Sequence, residues 1–189
     1  FQIAPCFRDE DARGDRSPGE FYQLDMEMAF ASQEDVFAVL EDVLPIFAKY
    51  GKYNIASKTP FVRIPYLEAM EKYGTDKPDL RIDLTVQDLT QLLSGCGFPP
   101  FENQRVKAVV VSGFEGSRKQ IDKLCADVEV QTGNKVYWFR YDEKGELVGG
   151  ISKFLQPIKD LAVEALTLAP GCLVGLSAGT LLAAQKTAG

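Results

Sequence analysis

The sequence predicts an α+β fold, in which strands and helices are mixed along the chain. Segments where apolar and polar residues alternate, as in strands, are interspersed with segments where apolar residues recur at helical spacing. Two strand-like segments at the start of the chain flank one polar loop, which indicates an antiparallel hairpin. The 189 residues can bury one good-sized core or two small ones.

The first hairpin is predicted to pair residues 1–7 with residues 21–31 across a loop at 9–20. Glycine and proline within residues 9–20 disfavour both a strand and a helix there. The second strand alternates strictly, so one of its faces is apolar and is expected to be packed. That face consists of Tyr22, Leu24, Met26, Met28 and Phe30, and the opposite face carries Phe21, Gln23, Asp25, Glu27 and Ala29.

Two helices are predicted to follow the hairpin. Ser32 is a good N-cap for a helix that Pro45 should kink or divide and that Gly51 should end. Residues 61–64 have the pattern of a short strand. A second helix is predicted over 65–74, with proline at its start and glycine at its end.

The second half of the chain is predicted to be an α+β module of about 80 residues. Prolines and a change in charge balance near 98–104 indicate a domain boundary there. The module is predicted to have strands at 106–111, 135–141, 146–150 and 172–176 and helices at 117–131, 157–166 and 179–186.

Composition excludes several kinds of site. The chain has no histidine, and its four cysteines are widely spaced. A zinc site and Ser-His or Cys-His nucleophilic catalysis are therefore not expected. Scattered single cysteines favour a reducing compartment, and we expect them to be buried, apolar thiols.

The charge is unevenly distributed along the chain, whose net charge is −6. Residues 1–97 hold 10 Lys and Arg against 17 Asp and Glu, and the remaining residues hold 11 against 10. An acidic first half argues against broad, nonspecific binding to duplex nucleic acid. No apolar run approaches the roughly 18 residues that a membrane span needs, and no signal peptide is visible. Because the chain begins without Met, we expect it to be a piece of a longer protein or a mature fragment.

The first loop is unusually charged, since eight of the thirteen residues between Phe7 and Phe21 are acidic or basic. Arg8 shares the polar strand face, and its guanidinium has a fork of donors that suits phosphate or carboxylate oxygens. Neighbouring carboxylates could receive an amino group or hold Mg²⁺, and Phe21 could stack on a planar base. These residues suggest a site for a small zwitterionic substrate and a nucleotide. The alternative is a surface hairpin whose charges pair in solvent, at ~0–1 kcal/mol a pair.

These residues also resemble a known family. The stretch FRDEDARGDRSPGEFYQLDMEMAF, residues 7–30, is similar to motif 2 of class II aminoacyl-tRNA synthetases, specifically of the aspartyl enzymes. YGTDKPDLR, residues 73–81, resembles the segment that follows motif 2 in the bacterial type. RKQID at 118–122 and ISKFL at 151–155 resemble the insertion domain of that type, called the GAD domain. The resemblance covers essentially the whole chain.

The resemblance implies an ATP site on the hairpin. Arg8 would be the catalytic residue, binding the α-phosphate of ATP and the aspartate carboxylate while that carboxylate attacks phosphorus. Asp9 and Glu10 would also contact ATP, Glu10 on the adenine side, and Phe21 would stack on the adenine. This loop has one residue more than the common family pattern, in the stretch Ser17–Phe21. Ser17 would contact ATP if it aligns with the family's residue at that place.

The resemblance also implies sites for the other two substrates. Gln23 and Asp25 would line the aspartate pocket together with Arg8. Asp11, Arg13 and Arg16 would meet the acceptor end of tRNA, which is single-stranded and can be read by side chains.

The family's organisation implies three parts for this chain. Residues 1–100 would belong to the class II catalytic domain, which is built on an antiparallel sheet with helices. Residues 101–178 would form the GAD insertion, and residues 179–189 would begin the return to the catalytic domain. Motif 1, motif 3, the anticodon-binding barrel and the family's active-site histidine do not occur in the sequence. We therefore expect the chain to be inactive by itself.

The same resemblance implies the partners. They would be ATP with Mg²⁺, L-aspartate and tRNA(Asp), with tRNA(Asn) left open, and no residue is assigned as a metal ligand. The complete protein would be a cytoplasmic homodimer that does not bind membranes.

Two other interpretations remain open. The chain could be a non-catalytic tRNA-binding or structural module centred on residues 101–178, where Arg118, Lys119 and Lys123 lie close together on one helix. A relative of the asparagine or lysine type is the other alternative, which the segment at 73–81 and the insertion disfavour.

Overall fold

The computed structural model describes residues 1–9, 19–51 and 58–189. They form two compact units, Phe1–Arg63 and Ile64–Gly189. Each unit has its own antiparallel sheet, of two strands in the first and five in the second. Together with seven α-helices among the described residues, this confirms the predicted α+β class.

The first unit begins with the predicted hairpin. Strand β1 (Gln2–Phe7) pairs antiparallel with β2 (Glu20–Asp25). The register places Gln2 opposite Asp25 and Phe7 opposite Glu20. The pairing continues one residue further, where the Arg8 N–H donates to the Gly19 carbonyl oxygen at 2.9 Å.

Strand β2 is shorter than the predicted strand at 21–31. It ends at Asp25, and residues 29–30 form a turn in which Phe30 adopts a left-handed φ of 55°. The register places Asp25 opposite Gln2, and among the described residues no strand pairs with the residues that follow Asp25. A strand needs a partner to satisfy its backbone groups, so strict alternation alone did not predict where this one ends.

The prediction that the apolar face of β2 is packed was wrong for the described residues. Tyr22 is 73% exposed, and Leu24 and Phe30 are exposed as well. The opposite face, with Phe21, Gln23 and Asp25, is the more covered one. Periodicity identified the two faces correctly, but it could not show which face other residues cover.

Helix α1 (Gln33–Val43) begins as predicted. Ser32 is its N-cap and forms a capping box with Asp35, in which each side chain bonds the other residue's backbone N–H. Pro45 divides the predicted helix, since a 3₁₀ turn over Leu44–Ile46 separates α1 from the short α2 (Phe47–Tyr50). Gly51 follows α2 in an extended conformation.

The predicted strand at 61–64 does not form. The Phe61 N–H donates to the Glu41 carboxylate at 3.0 Å instead of to a neighbouring strand. Arg63 forms an ion pair with Glu34 and lies over the Phe37 ring, with 4.7 Å between the guanidinium carbon and the ring centroid. Side chains of α1 therefore hold this segment in an irregular conformation.

Helix α3 (Tyr66–Tyr73) opens the second unit. Pro65 precedes it and Gly74 ends it in a left-handed conformation, with φ of 68°. A Cβ at Gly74 would overlap the Gln185 carbonyl oxygen. Glycine is required there for two reasons, its positive φ and the close approach of this helix end to α7 (Leu181–Ala188).

The five-stranded sheet contains β3 (Gln87–Asp88), β4 (Arg105–Val111), β5 (Val136–Tyr141), β6 (Leu147–Val148) and β7 (Cys172–Gly179). Its order is β3-β4-β7-β5-β6, and every neighbouring pair is antiparallel. Strands β4 and β5 therefore run parallel to each other, joined by α4 (Arg118–Thr132), with β7 between them. Helices α5 (Ser152–Leu155) and α6 (Lys159–Ala165) lie between β6 and β7 in sequence, separated by a 3₁₀ turn.

The sheet is covered on both faces. One face carries the larger core, in which Val106, Phe139 and Val174 from three strands meet Leu93 and Leu155. The other face is covered by α4 and α7. Ile121 of α4 packs there against the two strand residues Trp138 and Leu173.

The cysteines follow the predicted pattern in part. Cys172 is buried, whereas Cys6, Cys96 and Cys125 are partly buried, and none forms a disulfide. Among residues 1–9, 19–51 and 58–189, no helix is both long and apolar enough to cross a membrane.

The second unit starts before the predicted boundary at 98–104. Strand β3, at Gln87–Asp88, pairs with β4 in the same sheet, and α3 packs against α7. The predicted division into residues 1–100, 101–178 and 179–189 follows the family's organisation and stays a prediction.

Lys107 is a buried charge on the face that α7 covers. Its side chain is 1% exposed, and its Nζ lies 3.0 Å from Asp88 Oδ2 and 3.9 Å from Glu71 Oε1. Burial alone would raise the pKa of Asp88, but hydrogen bonds from Thr90 and Lys107 outweigh it and lower that pKa. Lys107 therefore ties β4 to the edge strand β3.

We expect Lys107→Ala to destabilise the second unit by about 2–3 kcal/mol, since Asp88 loses its cationic partner and a packed alkyl chain is removed. Urea unfolding followed by the fluorescence of Trp138 measures this. Lys119→Ala, on an exposed helix position, should change stability by less than about 0.5 kcal/mol. Equal stability of the two variants would contradict a structural role for Lys107.

Gly74→Ala and Gly133→Ala form a matched pair. Both glycines have φ near 70°, but an added Cβ meets Gln185 at Gly74 and nothing within 4 Å at Gly133. We expect Gly133→Ala to cost about 1 kcal/mol from the left-handed conformation alone, and Gly74→Ala to cost at least about 1 kcal/mol more. Thermal unfolding of both variants compares the two costs, and similar losses would refute the close approach to α7.

Candidate functional site

The hairpin register builds one polar face from both strands. Ala4 lies opposite Gln23, and Cys6 lies opposite Phe21. Paired residues in an antiparallel sheet point to the same side. Arg8, two residues beyond Cys6, therefore belongs to the same face as Phe21 and Gln23, as predicted from the alternation.

Arg8 and Phe21 meet at the loop end of this face. The guanidinium carbon of Arg8 is 5.6 Å from the centroid of the Phe21 ring. That distance suits a cation–π contact, worth about 0.5–1 kcal/mol at an exposed site. A planar fork of donors and an aromatic ring thus stand side by side, so one ligand with a flat ring and an anionic group could touch both.

Polar groups continue along the face away from the loop. The Gln23 Oε1 lies 3.9 Å from the Cys6 sulfur, a weak contact in which the thiol donates. Asp25 Oδ2 accepts a hydrogen bond from Gln2 Nε2 at 3.4 Å. The face therefore changes from cationic and aromatic at Arg8 and Phe21 to amide and carboxylate at Gln23 and Asp25.

An open hollow of about 280 Å³ lies at the far end of the face, lined by Phe1, Gln2, Asp25 and Glu27. Two carboxylates border it, and carboxylates attract amino groups and hard cations. In the part of the chain that the structure describes, no three His, Cys, Asp or Glu residues converge as metal ligands. The two carboxylates of the hollow are therefore suited to an ammonium group.

Two residues of this face were expected to lie on it beside Arg8 but were not predicted as site residues. Gln2 bonds Asp25, and Cys6 contacts Gln23. Both follow from the register, which the loop length alone did not fix. The predicted site residues Glu10, Asp11, Arg13, Arg16 and Ser17 lie outside the described residues.

The segment Tyr73–Arg81 forms a second polar region, in the second unit. Arg81 donates from Nε to Asp79 Oδ1 at 2.8 Å and from Nη2 to Oδ2. These bonds, with a backbone bond from the Arg81 N–H, lower the pKa of Asp79 to about 2. A hollow of about 240 Å³ adjoins this segment, with Thr75, Pro78 and Asp79 on its wall.

The predicted basic cluster of α4 is exposed at Arg118, Lys119 and Lys123. Arg118 Nε lies 3.6 Å from Asp122 Oδ2, and Asp122 also accepts a hydrogen bond from the Trp138 indole. The first cation of the predicted cluster thus has an acidic neighbour that the sheet holds in place.

Comparison with known proteins decides the family. The family model for tRNA synthetases class II (D, K and N) matches residues 1–159. The chain belongs to this family.

Several relatives that the chain resembles are named as aspartate–tRNA ligases. The aspartate–tRNA ligase of Streptomyces avermitilis is 45% identical over 193 residues, covering 100% of this chain and 32% of the relative. That of Streptomyces griseus is 48% identical over 184 residues, covering 95% and 30%. The aspartate–tRNA(Asp/Asn) ligase of Rickettsia felis is 44% identical over 164 residues, covering 83% and 27%. The synthetase chain therefore spans about a third of the length of the curated relatives it matches.

The ion pair between Asp79 and Arg81 in this synthetase chain can be tested through the pKa of Asp79. Arg81→Gln should raise the pKa of Asp79 from about 2 towards the ordinary ~3.9, because the donors that favour the carboxylate are lost. A carbon-detected NMR titration of the carboxyl groups measures this. Lys77→Gln, which removes the partner of Asp76, is the control and should leave Asp79 unchanged.

Because the pKa of Asp79 is lowered in the folded chain, the contribution of this carboxylate to folding stability depends on pH. The contribution of Asp79 is complete above its ordinary pKa and is lost as the pH falls towards 2. If Asp79 titrates near its ordinary value in the unsubstituted chain, the Arg81 contact does not exist in solution.

Proposed function

We propose that this chain is the central segment of an aspartate–tRNA ligase. The observation that carries the proposal is the polar hairpin face, where the Arg8 guanidinium stands 5.6 Å from the Phe21 ring and Gln23 and Asp25 follow on the same side. The proposal is supported by relatives of about 45% identity that bear this name.

The proposed reaction begins with ATP, Mg²⁺ and L-aspartate. A carboxylate oxygen of aspartate attacks the α-phosphorus of ATP, the bond to the bridging oxygen breaks, and pyrophosphate leaves. Arg8 is suited to the α-phosphate and the attacking carboxylate, because its fork of donors offsets negative charge in the transition state. Phe21, beside Arg8, is suited to stack on the adenine of the same nucleotide.

The far end of the face is suited to the amino acid. The Gln23 amide and the Asp25 carboxylate can orient an aspartate substrate, with Asp25 receiving its ammonium group. The order of groups along the hairpin, from Arg8 to Asp25, matches the order of an adenylate from phosphate to amino group. Asp9 and Glu10 remain candidate ATP contacts, and Ser17 a further one.

The second proposed step transfers aspartate to tRNA. A hydroxyl of the terminal ribose attacks the aspartyl carbonyl carbon and loses its proton. The bond from that carbon to the phosphate oxygen breaks, and AMP leaves. Asp11, Arg13 and Arg16 are proposed to meet the acceptor end. We propose tRNA(Asp) as the partner, and charging of tRNA(Asn) is a separate question that the name of the Rickettsia relatives raises.

The complete enzyme is proposed to be a cytoplasmic homodimer in which residues 101–178 form the GAD insertion. The alternative, a tRNA-binding or structural module centred on the same residues, has weaker support, because it rests only on three exposed basic residues of one helix, of which Arg118 lies 3.6 Å from Asp122.

The experiment is pyrophosphate exchange with aspartate and ATP in a complete aspartate–tRNA ligase carrying this segment. Arg8→Ala should lower the rate by ~10²–10³, as for loss of one charge-stabilising donor. Arg8→Lys keeps the charge but not the fork, so we expect it to recover only part of the rate. The matched control is Arg105→Ala, at an exposed strand position, which should stay within about twofold.

The chain of 189 residues is expected to show no exchange by itself. Turnover by this chain alone would refute the proposal that it is a central segment which depends on further parts. A near-normal rate for Arg8→Ala would instead remove Arg8 from its assigned role.

A further inference from the structure

A cavity of about 190 Å³ lies in the second unit, on the face of the five-stranded sheet that α4 and α7 cover. Its floor includes Val109, Trp138 and Gly175 from three adjacent strands, and Leu124 and Cys125 of α4 form one wall. The proposed chemistry of the first unit does not use this cavity.

Gly175 creates much of the space. It pairs with Val109 of β4 on one side and with Trp138 of β5 on the other, so all three point to the same face. A Cβ at Gly175 would meet no atom within 4 Å, and its φ is not positive, so no backbone conformation demands a glycine. A glycine inside a strand often marks a place where a ligand approaches the backbone closely.

The polar groups near the cavity already have partners. The Ser177 hydroxyl donates to the Ala184 carbonyl at 2.8 Å, and the Thr187 hydroxyl donates to the Ala183 carbonyl at 2.7 Å. The Trp138 indole N–H donates to Asp122 at 3.1 Å. Burial raises the pKa of Cys125, so its thiol stays neutral at physiological pH.

These features select the chemistry of an occupant. The Ser177, Thr187 and Trp138 donors are already used within the protein, so these groups offer a charged or strongly polar molecule little in exchange for its hydration. The cavity is open to solvent on one side, since Leu124 in its wall is 48% exposed, so a ligand can enter it. Pockets lined mainly by apolar and aromatic side chains are typical of sites for small molecules. The lining is therefore complementary to an uncharged molecule with about the volume of one aromatic ring.

We propose that the cavity between α4, α7 and the sheet is a binding site for a neutral molecule containing a single aromatic ring. The ring would lie over Gly175 and against the side chain of Trp138, where offset or edge-to-face contact between rings is favourable. This site is independent of the proposed ligase function, because every residue that forms it belongs to the second unit.

Trp138 provides a direct readout, since the chain has one tryptophan. Iodobenzene quenches indole fluorescence on contact through its heavy atom, and we expect saturable quenching when it is titrated into the 189-residue chain. Gly175→Val fills the floor with a side chain that suits a strand. It should weaken binding at least tenfold while leaving the melting temperature equal or higher. Val130→Leu, on an exposed position of α4, is the matched control and should bind as the unsubstituted chain does.

A second variant and a second measurement cover the case in which Gly175→Val fails to fold. Gly175→Ala adds one methyl group and should weaken binding about threefold. Fluorobenzene should give intermolecular NMR cross-relaxation to the methyl groups of Val109 and Leu173 in the unsubstituted chain.

Three results would overturn the proposal. Quenching that rises linearly without saturation would mean random collision, and equal binding by Gly175→Val would place the ligand elsewhere. If sedimentation shows that iodobenzene dissociates a dimer, a side chain of a second copy is the occupant rather than a small molecule.

Discussion

The second unit depends on the pairing of β7 with strands that are distant in sequence. β7 lies between β4 and β5 and is bonded to both along most of its length. Its side chains point alternately to the two faces of the sheet, so Val174 belongs to the larger core and Leu173 to the smaller one. Since neighbouring strands satisfy each other's backbone groups, removing β7 would leave unpaired edges on β4 and β5 and would divide both cores. The buried Lys107, the cavity over Gly175 and the docking of α7 all rely on this ladder.

The first unit depends on a smaller constraint, the register of one hairpin. Because the side-chain period of a strand is two, a slip of one residue between β1 and β2 would move Phe21, Gln23 and Asp25 to the face opposite Arg8. The observed register places all four on one side. The proposed function therefore rests on a pairing geometry that buries little surface, since the other face of the hairpin is exposed within the described residues.

Local signals in the sequence predicted most elements well. The Ser32 cap, the division of a helix at Pro45 and the end of a helix at Gly74 were all expected from residue type and spacing, and all are confirmed. Two predictions about strands were wrong, the extension of β2 beyond Asp25 and the strand at 61–64. Both depended on whether a partner strand was available, which alternation does not reveal. The family was also recognisable from motif residues, and the match over 1–159 confirms it.

The sequence by itself determined which residues of each element share a face and where most of the helices begin and end. These depend on neighbours within a few positions, where caps, proline and side-chain periodicity act. The tertiary structure alone decided the sheet order, the unit boundary at Arg63, the burial of Lys107 and the cavity above Gly175. Each of these depends on contacts between residues far apart in the chain, and no local preference encodes which distant strand or helix supplies the contact.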